Sequence, residues 1–124
     1  MSLEKNKAMI RKGVEEVNKR NLAVLDEFIA PDYVDHTNPL RGLEDVKQFY
    51  TKAFKDFPDY HRTIEDIIAE GDKVWVRYKI TATDPTDKKM ELAQVAIYRI
   101  VKGKIVEGWS VPQVVSKEKK LKVT

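Results

Sequence analysis

The chain contains no cysteine. That excludes a disulfide framework, a thiolate nucleophile and a cysteine-ligated metal. It has no run of about 18 apolar residues, so no segment reads as a membrane span. The stretch from Met1 to Arg11 is polar and charged and lacks the apolar core of a secretory signal. These absences set the expectation of a cytoplasmic protein. Glycine and proline are sparse, with five of each, and they mark turns rather than linkers or repeats. No glycine-rich phosphate loop occurs, and Ser2, Ser110 and Ser116 stand in no G-x-S-x-G elbow. The two histidines lie on separate segments without HxxE or HxD spacing, so a metal site is not expected.

What is present fits one domain of 124 residues, with 42% apolar and 35% charged side chains. The net charge of +3 is modest and its signs are interspersed. Lysine clusters only near the end, at Lys117, Lys119, Lys120 and Lys122. That run has no interleaved aromatics, so it reads as a solvated tail and not as a nucleic-acid surface. The expected division is a domain over residues 1–115 and a frayed basic tail over 116–124.

The first half is helical in period. Leu3, Ile10, Val14 and Val17 share a helical face behind Ser2, a candidate N-cap. Asn21 opens a short helix carrying Leu22, Leu25, Phe28 and Ile29, which ends before Pro31. A third helix starts near Gly42 and ends at Pro58, with acids in its first turn and lysines in its last. The period then changes to two. Alternation is imperfect from Tyr60 to Ala69 and clear from Lys73 to Thr83, where Val74, Val76, Tyr78, Ile80 and Ala82 point one way. The strand from Met90 to Val101 is apolar on both faces, which calls for cover on both. Lys104 to Val115 forms the last strand. Helices followed by strands argue an α+β fold.

Candidate chemistry falls in three places. On the last strand Glu107, Trp109, Val111 and Gln113 share a face if no bulge intervenes, giving an apolar wall with polar handles. His36 follows Asp35 in an extended stretch between helices, and His61 follows Asp59 by two. An aspartate beside a histidine is half of a general-base device, although adjacent residues of a strand point to opposite faces.

In order along the chain, these pieces resemble the SnoaL-like family of the nuclear transport factor 2-like superfamily. The likeness is carried by Ala30-Pro31-Asp32-Tyr33-Val34-Asp35-His36, by Phe57-Pro58-Asp59-Tyr60 and by Ile64 through Val74. It continues in Tyr98-Arg99-Ile100 and in Gly103-Lys104-Ile105-Val106-Glu107 with Trp109. The resemblance implies a cone of about three helices wrapped by a curved antiparallel sheet, often a homodimer through the outer sheet face. It implies a cofactor-free cyclase of aldol or isomerase type, which abstracts a proton from a small, apolar, carbonyl-bearing molecule. The namesake enzymes carry an acid/base aspartate four residues after the tryptophan. Here that position is Gln113, which donates and accepts hydrogen bonds but transfers no proton. His36 is then the expected base with Asp35 beside it. Trp109, Gln113, Glu107, Tyr98, Gln94, His61 and Asp59 are the expected ligand-binding set. The alternatives are a non-catalytic ligand-binding protein of the same fold and a dimerisation module with a vestigial pocket.

Overall fold

The computed structural model describes residues 2–114, and side chains to residue 111. The basic tail over 116–124 and the end of the last strand at Val115 lie outside the described residues. Helix α1 spans Leu3–Asn18, and the Ser2 side chain accepts from the Lys5 amide at 3.0 Å. Ile10 and Val17 of α1 are buried. Lys19 and Arg20 close the helix, and Arg20 takes a left-handed conformation (φ 69°). Its amide then donates back to the Val17 carbonyl, a helix-ending geometry that residues other than glycine adopt less readily. A 3-10 turn, Leu22–Val24, leads into the one-turn helix α2, Leu25–Phe28. Helix α3 spans Gly42–Asp56 and buries Val46, with Leu43, Tyr50, Ala53 and Phe54 packed beside it.

Five strands form one sheet in the order β1-β5-β4-β3-β2. They are β1 Ile29–Asp35, β2 His61–Glu70, β3 Lys73–Thr83, β4 Lys89–Val101 and β5 Lys104–Val114. Strands β2 to β5 form an antiparallel meander. The segment between helices joins it as β1, paired parallel to β5. The sheet is therefore mixed and not wholly antiparallel. Pro31 is tolerated because β1 is an edge strand.

The inner face of the sheet meets the helices. Val74, Val76 and Tyr78 on β3 are the most completely buried large side chains, each worth about 1.5–3 kcal/mol in transfer terms. The imperfect alternation of β2 has a local cause, because the register slips between Ile64 and Asp66. A bulge there inserts one residue and moves the inward parity from Arg62 and Ile64 to Ile67 and Ala69.

A second bulge decides where the site lies. On β5 the register shifts between Arg99 and Ile100, so that Ile100 pairs with Ile105 while Arg99 pairs with Glu107. Val106 is the extra residue. Counting by twos from the buried Ile105 would turn Glu107 and Trp109 inward. With the bulge, Gly108 and Ser110 face the helices, paired with Tyr98 and Ala96. Glu107, Trp109 and Val111 do share one face, and it is the outer one.

Candidate functional site

Between the helices and the inner sheet face lies a cavity of about 130 Å3. Its apolar walls include Met9, Val14, Phe28, Val46 and Phe49. Its polar border includes Tyr33, Asp35, Asn38, Tyr50, Arg62, Gln94, Tyr98 and Ser110. An apolar enclosure with a few convergent polar groups is the usual form of a small-molecule site.

Asp35 reaches the cavity because its ladder partner on β5 is the inward Gly108. Its Oδ1 accepts from the amides of Thr37 (2.9 Å) and Asn38 (2.8 Å), closing a turn of aspartate type at the end of β1. Its Oδ2 accepts from the Tyr33 hydroxyl at 3.3 Å and, at 3.5 Å, from the Asn38 side-chain amide. Asn38 also donates to the Ser110 hydroxyl at 3.3 Å. Burial, followed by the Asp35 charge, pushes the Tyr33 phenol up from its ordinary value, so it remains a donor. Tyr33 lies so close over β5 that a Cβ at residue 108 would collide with its hydroxyl. Glycine there is a packing requirement.

The other wall is built around Arg62, only 6% exposed. Its backbone is clamped to the end of α1. Asn18 donates to the Arg62 carbonyl (2.8 Å) and accepts from its amide (2.9 Å). Its guanidinium donates to the Tyr60 hydroxyl at 2.8 Å and to Gln94 Oε1 at 2.5 Å, and it lies 4.2 Å from the Tyr78 ring centroid. The hydroxyls of Tyr78 and Tyr98 share a hydrogen bond of 2.8 Å. Burial pushes Tyr98 well up from its ordinary value and Tyr78 up to about 12.

His36 lies elsewhere. Its ring stacks on Trp109 at 4.9 Å and 18°, and its Nε2 is 2.7 Å from Glu107. Glu107 also accepts from Arg99. These contacts, Arg99 first and His36 second, hold the Glu107 carboxyl below its ordinary value. The group sits on the outer face, because Glu107 pairs with Arg99 and Trp109 with Ile97. Trp109 borders the cavity from β5, between Gly108 and Ser110, while its side chain belongs to the His36 cluster. Of the sequence-derived residues, Asp35, Gln94 and Tyr98 come together at the cavity. His36, Glu107 and Trp109 come together on the opposite face. Asp59 and His61 do not meet. Asp59 accepts from the Thr83 amide and hydroxyl (2.8 and 2.6 Å), and exposed His61 lies 3.4 Å from the Thr63 hydroxyl. Gln113 pairs with Ala93 in the ladder, and its side chain lies outside the described residues. Among the described residues no three His, Asp or Glu side chains cluster as a metal site requires. No described helix is long and apolar enough to cross a membrane.

Sequence reasoning missed Arg62, Tyr33, Asn38 and Ser110. The available signal at Arg62 was a charged residue in step with Ile64, which the bulge after Ile64 obscured.

Helices laid on the concave side of one curved sheet, with a cavity between, define a nuclear transport factor 2-like α+β domain. The model of the SnoaL-like polyketide cyclase family matches residues 8–121, and the chain belongs to that family. Among solved structures, AclR of Streptomyces galilaeus, described as a candidate hydroxylase, is 28% identical, with a TM-score of 0.81 over 91% of this chain and 81% of that one. IdmH of Streptomyces antibioticus, described as a candidate polyketide cyclase, is 27% identical, with a TM-score of 0.78 over 86% and 90%. A SnoaL-like polyketide cyclase of Agrobacterium tumefaciens, at 19% identity and a TM-score of 0.79 over 91% and 93%, shares the fold. A comparison with curated proteins finds none that matches.

Proposed function

We propose that the chain is a cyclase-type enzyme that abstracts a proton from a small carbonyl compound held in the inner cavity, without a cofactor, and that Asp35 is its base. The observation that carries this reading is the division made by one residue step. Asp35 borders the cavity, whereas His36 is bound to Glu107 and Trp109 on the other face. Asp35 Oδ2 has only two long hydrogen bonds, at 3.3 and 3.5 Å, which leaves capacity to accept a proton.

In the proposed step the C–H pair stays on the substrate as an enolate and the proton moves to Asp35. The Tyr98 hydroxyl donates to the enolate oxygen while accepting from Tyr78, an oxyanion-holding role suited to a phenol that burial keeps protonated. The enolate carbon attacks a second carbonyl, a carbon–carbon bond forms, and Asp35 returns its proton to the new alkoxide. His36, Glu107 and Trp109 are proposed to serve the outer face, where Trp75, Val95 and Val111 are exposed. An apolar patch of that kind suits a second copy of the chain.

The test is hydrogen–deuterium exchange at the acidic carbon of aryl β-diketones, followed by NMR in deuterated water. Exchange accelerated by the protein and lost in Asp35→Asn supports the enzyme reading. Binding of the diketones with no acceleration favours a ligand-binding protein. That second reading has its own support, since four donors already contact the Asp35 carboxylate.

A further inference from the structure

Arg62 is a charged side chain enclosed by neutral ones. Its residue is 6% exposed, and the groups that fix it are the Tyr60 hydroxyl, the Gln94 amide oxygen and the Tyr78 ring. Among the described residues no carboxylate pairs with it, and Tyr50, Tyr60, Tyr78 and Tyr98 surround it. Guanidinium is not deprotonated in proteins, so the positive charge persists. Burying a charge without a counter-ion is costly, and neutral dipoles with one cation–π contact offset only part of that cost. A guanidinium has five N–H donors, and the bonds to Tyr60 and Gln94 use two of them. The same residue borders the cavity. The Asn18 clamp on both its amide and carbonyl fixes the backbone from which the side chain extends.

We infer that Arg62 is the binding group for an anionic oxygen on the ligand, and that the cavity selects carbonyl compounds bearing a carboxylate over their neutral counterparts. This rests on the reading of the cavity as a small-molecule site and adds the charge class of its substrate. The two charged groups then divide the work. Asp35 sits near the end of β1 and Arg62 near the start of β2, at opposite edges of the sheet. A keto acid bound with its carboxylate at Arg62 keeps that anion away from Asp35, which would repel it.

The test compares aryl keto acids with their methyl esters, each titrated into the full-length protein by calorimetry and by nitrogen-edited NMR of the Arg62 Nε–H signal. The expected result is binding of the acids at least about tenfold tighter than the esters, a difference of about 1.4 kcal/mol, with the Arg62 signal moving. In Arg62→Gln the ratio of acid to ester affinity should fall to about one. Equal or tighter binding of the esters by the wild type overturns the inference and leaves the pocket reading standing. So does an acid preference kept in a folded Arg62→Gln protein. If that variant does not fold, the wild-type comparison and the Arg62 signal still decide. Failure of every acid and ester to bind overturns the pocket reading, and the inference with it.

Discussion

The two faces of the sheet carry two polar clusters built on different terms. On the inner face, Asp35, Arg62, Gln94 and Tyr98 border a partly closed cavity, and the two charged members, Asp35 and Arg62, are hydrogen-bonded to neutral neighbours. On the outer face, Arg99 is ion-paired with Glu107, which is also hydrogen-bonded to His36, and the His36 ring is stacked on Trp109. The inner cluster has unspent charge and an enclosure, which is what binding and proton transfer need. The outer cluster is electrostatically complete, which is what a surface or an interface needs. A residue's chemistry alone does not separate these roles, since histidine beside glutamate is also the composition of a catalytic pair. The face it occupies separates them.

Substitution can break this contrast at several strengths. Asp35→Asn should lower exchange or turnover by about 100- to 10,000-fold, the range for a lost general base, while His36→Ala should stay within a few-fold. Kinetics on both variants with one diketone would check this. The inner cluster should also limit alkaline stability. The Tyr78 phenol, ordinarily at 10.0, is pushed up to about 12 by burial. Because the folded value is the higher, its contribution is whole below pH 10 and is lost as pH rises toward about 12, on the order of 2–3 kcal/mol. Denaturant unfolding at stepped pH, with tyrosinate absorbance as a second signal, measures that loss.

Gly108→Ala should cost about 1–3 kcal/mol by forcing Tyr33 off the strand, and should disturb Asp35 with it. Thermal unfolding and diketone binding would report the two effects. On the outer face, His36→Ala should cost no more than about 0.5–1.5 kcal/mol through the lost Trp109 stack. Val111→Lys, at a side chain 70% exposed, should change monomer stability by less than about 0.5 kcal/mol. The same change should weaken self-association, read by analytical ultracentrifugation.

Most of the fold was legible because the core writes itself into the period of the sequence. The alternation over Val74, Val76, Tyr78, Ile80 and Ala82 is the buried face of β3. Ser2 caps α1 as its hydroxyl suggests, and the doubly apolar β4 leaves Val95 and Val101 bare on the outer face. Of the candidate site, the sequence names three residues that border the cavity and not the faces on which the others lie. Asp35, Gln94 and Tyr98 could be named, but the face of each residue on β5 depends on Val106, where the register slips. A bulge is one extra residue with no compositional mark. Parity counted across it reverses every side chain beyond. Arg62 was hidden in the same way by the slip after Ile64. The parallel addition of β1 to β5 was invisible for another reason. It is a long-range pairing between Ile29 and Ile105, and nothing local to either segment declares it.

The central claim is that ligand chemistry belongs to the inner face. NMR of the full chain titrated with an aryl keto acid tests it directly, because both faces carry their own reporters. The account predicts saturable shifts at the side-chain N–H signals of Arg62 and Gln94, with the His36 ring and the Trp75 indole unmoved. Shifts at His36 and Trp75 with Arg62 and Gln94 unmoved would contradict it and return the chemistry to the outer cluster.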